Sequence, residues 1–393
     1  MTGSRRPVAA VVDLDAVAAN VTALAEATRP AAVCAVVKAD GYGHGAVPVA
    51  RTALAAGARW LAVALPSEGA VLRAAGIEAP VLLLSEPATD EWDDVVAARL
   101  RPTLYTDRGV EEVAKAVARA GGAPLPVHVK VDTGMHRVGA APERIPDLLA
   151  AVAERPELTL EGLWTHCAVA DEPGHPFTAA QLRRFHELLG SLATSGIRPP
   201  VVHAANSAAA LDHPEARHDL VRCGITVYGL DPSPELAGRV PLQPALSLVS
   251  EVSAVRVVAA GEAVSYGLRR PVAVDSVVAT VPLGYADGVP RRLSAVGGEV
   301  LVGGRRRPLA GTVTMDQLMV DCGPAGDPGA DAVRVGDEVV LLGRQGDGRI
   351  GAEEWAARLD TIAYEIVCGI SARVPRRYSG GPPAPGVAPR PPA

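Results

Sequence analysis

What most constrains this chain is an alternation. Between residues 31 and 225, short runs rich in valine, leucine and alanine alternate with longer stretches whose apolar residues recur at helical spacing. The runs are AAVCAVVK (31–38), RWLAVA (59–64), PVLLLS (80–85), PTLYT (102–106), PVHVKVD (126–132), TLEGLWTH (159–166), VVHAAN (201–206) and LVRCGI (220–225). Helical segments such as DRGVEEVAKAVARAG (107–121) and FTAAQLRRFHELLGSLATSG (177–196) lie between them, the second ending in a glycine stop. Eight strands joined by helices in roughly 200 residues predict an α/β fold of the (β/α)8 TIM-barrel type. A doubly wound sheet is the rival, but it rarely carries so many parallel strands in so short a stretch.

After about residue 240 the texture changes. ALSLVSEVSAVRVVAAGEAVSYG, VDSVVATVPLG, GEVLVGG and GDEVVLLGR are β-branched runs punctuated by glycine. The expectation is a barrel over 8–240 and a mainly β domain over 241–378, which the N-terminal strand 8–14 could join. The Pro/Gly-rich tail 379–393 is expected to be disordered.

Composition excludes several classes. The net charge is −6 and there is no basic block, which argues against a nucleic-acid partner. The one local basic run, Arg305 to Arg307, reads as a solvated turn. The five cysteines are an odd number with no CxxC spacing, against a disulfide framework or a structural zinc and for a reducing compartment. No metal is expected at His213 and His218 either, which stand five apart in a polar loop. No run approaches the roughly 18 apolar residues of a membrane span, and Asp13 stops the N-terminal apolar stretch too early for a signal peptide. The expected location is cytoplasmic.

Active sites of such barrels gather at the C-terminal ends of the strands. Lys38 ends the first run and His166 the sixth; Asn206 and Ser207 follow the seventh; Arg222, Gly224 and Ile225 end the eighth. A hydroxyl at Ser207, the neighbouring Asn206 and an approachable backbone at Gly224 suit a phosphate, which this fold usually takes at its last two loops. In VHVKVD, His128, Lys130 and Asp132 share one face and three valines the other, so Lys130 points into the barrel, with Arg137 close behind. Two cations there repel unless an anion intervenes. Asp132 could be that anion, or Lys130 could be chemically neutralised. GYGHG (41–45) lacks the GxGxxG spacing of a dinucleotide site. Cys34, Cys167 and Cys223 read as barrel-wall filling and Trp355 as core.

The stretches AVVKADGYGHG, KVDTGMHRVG, THCAVADE, HAANSAA, RCGITVYG, AVSYG, GYADG, TMDQ and TIAYEI, in that order from about residue 8 to 378, resemble alanine racemase. That family uses pyridoxal 5′-phosphate (PLP) and pairs a barrel with a β domain. The resemblance implies that Lys38 holds PLP covalently and acts as one catalytic base, with Tyr266 as the other. It implies phosphate contacts at Tyr42, Ser207, Gly224, Ile225 and Tyr364, Arg222 facing the pyridine nitrogen, and His166 supporting the ring and that arginine. Asn206 joins the cofactor set by its position. Arg137 is implied as the neighbour of Tyr266, Met315 as a contact for the substrate carboxylate, and Tyr285 and Tyr364 as entrance residues. Lys130 matches a lysine often carbamylated. The site is implied to be shared across a homodimer, Lys38 of one chain facing Tyr266, Tyr285 and Met315 of the other.

The implied activity is interconversion of L- and D-alanine, supplying D-alanine for cell-wall peptidoglycan; a range extending to serine or lysine is the alternative. Three positions depart from the usual pattern: His136 where a glycine is common, Thr314 where a cysteine is frequent, and Cys167 where an apolar residue is usual. A fold-related PLP decarboxylase would place a glutamate where Arg222 stands, and a PLP carrier would lack the tyrosine-bearing β domain.

Overall fold

The computed structural model describes residues 6–382. The chain divides into two compact units, one built mainly from residues 15–41 and 45–243, the other from 6–14, 42–44 and 244–380. Strand β1 (Val8–Asp13) belongs to the second unit.

The first unit carries β2 (Ala32–Val36), β3 (Trp60–Val63), β4 (Val81–Leu83), β5 (Arg101–Leu104), β6 (Leu125–Lys130), β7 (Leu158–Trp164), β8 (Val201–His203) and β9 (Leu220–Cys223). They pair in parallel in the order β8-β7-β6-β5-β4-β3-β2-β9. The two ends of this sheet are stitched by flanking residues: Asp219 N–H donates to Val202 O and Arg222 N–H to Ala205 O, both at 3.0 Å. The result is the nearly closed barrel that the alternation predicts. Its strands are mostly buried, as strands covered on both faces must be, with polar side chains confined to a few positions on β5 to β9.

The helices between them follow their periodicity. Asp107–Ala120 buries Val110, Val113, Ala114 and Val117, and Thr106 caps it by accepting the Gly109 N–H at 2.8 Å. Pro176–Thr194 buries Leu182, Phe185, Leu188 and Leu192. Cys34, Cys167 and Cys223 are buried in this unit.

The second unit is built on β10 (Leu246–Glu251), β11 (Ala254–Val258), β12 (Ser276–Val281), β13 (Glu299–Val302), β14 (Arg305–Pro308), β15 (Leu318–Pro324), β16 (Glu338–Gln345), β17 (Gly348–Ile350) and β18 (Arg376–Ser379). One sheet runs β14-β13-β16-β10-β1-β18, with β17 on β16; a smaller one runs β11-β12-β15. The N-terminal strand is antiparallel to β10 and parallel to β18. Trp355 lies in the core of this unit. Of the expected tail, Ser379 closes β18, and residues 383–393 lie outside the described residues.

One expectation is overturned here. Arg305, Arg306 and Arg307 are not a solvated turn but the return strand of a hairpin, Val302 pairing with Arg305 across Gly303 and Gly304. Both glycines have positive φ (59° and 74°), the backbone that a two-residue hairpin turn demands. Arg306 pairs with Glu299 at 3.0 Å and Glu354 at 2.8 Å, while Arg307 is buried and donates to the carbonyls of Cys322 and Gly329. Arg306 and Arg307 have fixed partners and Arg305 is exposed, so the run could enter a sheet.

Candidate active site

Lys38 stands directly beyond β2, where the backbone does something unusual. Ala39, Asp40, Gly41, Tyr42 and Gly43 all have positive φ, between 50° and 79°. This is a left-handed turn, unfavourable by about 1–2 kcal/mol at each residue bearing a Cβ. Its surroundings hold it. Glu68 accepts the Ala39 N–H at 2.5 Å through one oxygen, and the Ala64 and Leu65 N–H groups at 2.8 and 3.1 Å through the other. Asp40 accepts the Ala46 N–H at 2.8 Å, fastening the turn to the next helix. Strain held this way fixes the point from which the Lys38 side chain leaves the barrel wall.

Around the same end of the barrel the sequence has gathered positive charge. Arg222 on β9 is buried and donates through Nη1 to His203 Nδ1 at 2.8 Å. Through Nη2 it donates to the carbonyls of Thr165 and Ala204, both at 2.9 Å, and to His166 Nδ1 at 3.2 Å. Burial lowers its pKa to about 10, so it stays charged at neutral pH. Lys130 does point inward: it is 3% exposed, with Nζ 4.4 Å from the centre of the Trp164 ring, and the Arg222 guanidinium lies 4.5 Å from that ring centre. Burial first, and then the charges of Arg222 and Arg137, bring the Lys130 pKa down to about 7; Asp132 opposes this and Lys38 adds to it. Burial and the same four cations, Arg222, Lys130, Arg137 and Lys38, hold His166 well below its usual range.

Asp132 offsets only part of this repulsion. Its carboxylate is engaged by the loop that follows, accepting the N–H groups of Gly134 (2.8 Å) and His136 (3.1 Å), with His136 Nδ1 at 3.3 Å. His136 has a φ of 55°, a conformation that favours glycine. Lys38, Lys130, Arg137 and Arg222 therefore repel one another at this end of the barrel.

Ser207 Oγ accepts the N–H of Gly224 at 2.8 Å and the hydroxyl of Thr226 at 3.1 Å, which leaves its own proton to donate elsewhere. Ile225 follows Gly224 in a buried turn. Asn206 is used structurally: its Oδ1 caps the next helix through the Ala209 N–H at 2.9 Å.

In the second unit, Tyr266 is 74% exposed on a loop held by Ser265 Oγ donating to Thr312 O (2.6 Å) and Thr312 Oγ1 donating to Tyr266 O (2.9 Å). It borders a cavity of about 590 Å³ that Arg256, Ser265, Thr314 and Gln317 also line. A core tyrosine with a satisfied hydroxyl is excluded by this exposure. Tyr285 and Met315 are brought together by their backbones: the Tyr285 N–H donates to Thr314 O at 2.9 Å and the Ala286 N–H to Met315 O at 3.0 Å. Gly284 permits this approach, since a Cβ there would lie 2.3 Å from Thr314 O. The rings of Tyr42 and Tyr364 lie 6.2 Å apart, and burial pushes the Tyr42 phenol above its usual range.

One polar constellation went unread in the sequence. Glu161, His128 and His203 are hydrogen-bonded inside the barrel and end on Arg222. The alternation in VHVKVD puts His128 on the inner face of its strand but does not say what it meets there. Its partners stand 33 and 75 residues away, so no spacing could reveal them.

Comparison with known proteins supplies the family. The sequence model described as "Alanine racemase, N-terminal domain" matches residues 12–232, and that of the C-terminal domain matches 245–378. Alanine racemase of Symbiobacterium thermophilum is 49% identical over 95% of this chain and 98% of its own length. Among solved structures, alanine racemase from a D-cycloserine-producing Streptomyces lavendulae superposes with a TM-score of 0.89 at 42% identity, over 96% of this chain and 98% of that one. The Bacillus anthracis enzyme with bound L-Ala-P gives 0.88 at 40% identity, over 96% of both chains. With both halves matched in order and similarity running nearly end to end, the chain belongs to the alanine racemase family of amino-acid isomerases.

Proposed function

We propose that this protein interconverts L- and D-alanine with PLP, using Lys38 and Tyr266 as bases on opposite faces of the substrate Cα. The observation that carries this reading is the wall of four cations, Lys38, Lys130, Arg137 and Arg222, around His166. It supplies an amine beside a site that calls for an anion, and the bound L-Ala-P of the Bacillus anthracis relative supports alanine as the substrate.

The residues present fit PLP. Ser207, with a proton to donate, and the backbone at Gly224 and Ile225 suit the phosphate. Arg222 would face the pyridine nitrogen, and Lys38 would hold the cofactor covalently. When bound, PLP supplies the conjugated system that makes the Cα–H bond acidic enough to break. Arg222 can only donate, so it leaves the ring nitrogen without a proton and restrains side reactions such as transamination.

The proton itself is handled by the chain. Lys38 Nζ takes it from, or returns it to, one face of Cα. Tyr266 Oη does so on the other face, and is the base for L-alanine. A free tyrosine ionises near pH 10; lowering that by about three units takes about 4 kcal/mol of preference for the phenolate. Arg137 and His166 are the sources of that preference. Tyr266 comes from a second copy of the chain, as do Tyr285 and Met315 at the substrate entrance and carboxylate. A neutral Lys130 amine attacks the carbon of CO2 and loses a proton, and the carbamate so formed is the anion between Arg137 and Arg222. The product serves cell-wall peptidoglycan, and the protein works in the cytoplasm.

The test is direct. The full chain, purified with PLP, is given L-alanine, L-serine or L-lysine, and the enantiomers are separated chirally. D-alanine formed well ahead of the other two supports the reading. Preferential inversion of serine or lysine would replace alanine as substrate, and no inversion of any would overturn the activity.

A further inference from the structure

The inside of a barrel this size is normally filled with aliphatic layers. Here β5, β6, β7, β8 and β9 send in Arg101, His128, Glu161, His203 and Arg222. Glu161 is 22% exposed and pairs with Arg101 Nε at 3.0 Å. The same oxygen lies 3.2 Å from His128 Nε2; His128 Nδ1 lies 2.9 Å from His203 Nε2; His203 Nδ1 lies 2.8 Å from Arg222 Nη1.

The protons on this chain have one arrangement. Arginine has no acceptor, so His203 Nδ1 must accept and its Nε2 must carry the proton. That proton is donated to His128 Nδ1, which places the His128 proton on Nε2, aimed at the carboxylate. Both imidazoles are neutral, because burial depresses their pKa values. The chain therefore runs as donor to acceptor from Arg222 to Glu161, with a fixed charge at each end.

The backbone is bent to build it. The β6–β7 register slips between Val127 and His128, pairing Val127 with Leu160 and His128 with Gly162 and leaving Glu161 as the extra residue. In a regular strand Glu161 and Gly162 would face opposite ways; the bulge lets both face His128. Gly162 is needed as well, because a Cβ there would stand 2.3 Å from His128 Nδ1. Indoles fix both rings: Trp164 stacks on His203 at 5.4 Å, and Trp60 meets His128 edge-on at 5.3 Å.

We propose that Glu161, His128 and His203 are positioning residues that hold the Arg222 guanidinium in place by fixing the tautomer of the histidine that accepts from it. The relay makes its far neighbour an obligate acceptor and so holds the guanidinium in one orientation toward the cofactor nitrogen. This rests on the PLP reading given above, and it adds Glu161, on the other side of two histidines from Arg222, to the residues that tune the reaction.

Neutron diffraction from the deuterated holoenzyme locates the protons. Hydrogens on Nε2 of both His128 and His203, with none on Nδ1, are expected; a proton on either Nδ1, or a doubly protonated ring, overturns the relay. In solution, Glu161→Ala should lower kcat about tenfold with KM within about twofold, the scale seen when a hydrogen-bonded supporting partner is removed. Glu161→Gln, whose amide oxygen can accept the same bond, should restore most of the rate. If Glu161→Ala leaves kcat unchanged, the proposal fails. If that variant does not fold, the wild-type proton positions still decide. An enzyme that shows the expected protons but does not racemise alanine would sink the activity and leave the relay standing.

Discussion

Arg222 and Lys130 face the same indole and play opposite parts. Arg222 keeps its charge because four acceptors surround it, whereas Lys130 lies over the Trp164 face among cations whose repulsion, with burial, outweighs the attraction of Asp132. Replacing Arg222 with glutamate would place an acid beside the ring nitrogen and let it stay protonated. Arg222→Glu should lower racemisation by about 10²-fold or more, the scale on which lost preorganised donors act, while raising the fraction of half-transamination. An unchanged partition ratio would count against the assigned role. Lys130 gives a pH signature. Unfolded, it binds a proton up to about pH 10.4; folded, only below about 7. Between those values the unfolded state holds more protons, so this residue makes stability rise with pH. In CO2-free buffer the wild type should gain more resistance to urea from pH 7 to 9.5 than Lys130→Met does. Equal gains would mean that Lys130 is not buried as a neutral amine.

Among the elements, the left-handed turn after β2 asks most of its neighbours. Ala39, Asp40 and Tyr42 are held where side chains are disfavoured, and Glu68 satisfies three backbone N–H groups at its base. Glu68→Ala leaves those donors without their acceptor and should cost about 1–3 kcal/mol, read as a lower urea midpoint, together with a lower racemisation rate as Lys38 loses its anchor. A variant with wild-type rate and midpoint would show the turn to be held by other contacts. The elements also show what a sequence can and cannot say. Eight short apolar runs are enough to find the barrel strands, because parallel strands covered on both faces need little else. Lys38, His166 and Arg222 stand out in the sequence because strand ends are where such barrels put chemistry. The turn itself was illegible: KADGY carries only one glycine across residues that all curl left-handed after the lysine. Glu161 was illegible too, since its inward aim depends on a bulge that pairing, not periodicity, creates. The arginine hairpin was within reach, because two glycines between β-branched and basic runs are a turn signal.

At the scale of the whole molecule, the chain has a unit that carries Lys38 and a unit that carries Tyr266. If each site takes Lys38 from one copy and Tyr266 from another, two dead variants can rescue each other. Lys38→Ala and Tyr266→Phe should each be inactive alone. After dissociation and random reassociation, half of the dimers are hybrids with one intact site each, so activity should return to about one quarter of wild type. No recovery from verified hybrids would place both bases on one chain. The role of two bases is tested most directly by following L-alanine in D2O with the PLP-loaded wild type and with Tyr266→Phe. Wild type should lose the Cα proton signal and form D-alanine that carries Cα deuterium. Tyr266→Phe should lose at least about 10²-fold of its inversion of L-alanine while Lys38 still exchanges the Cα proton of D-alanine. Full inversion by Tyr266→Phe would contradict the assignment of the second base.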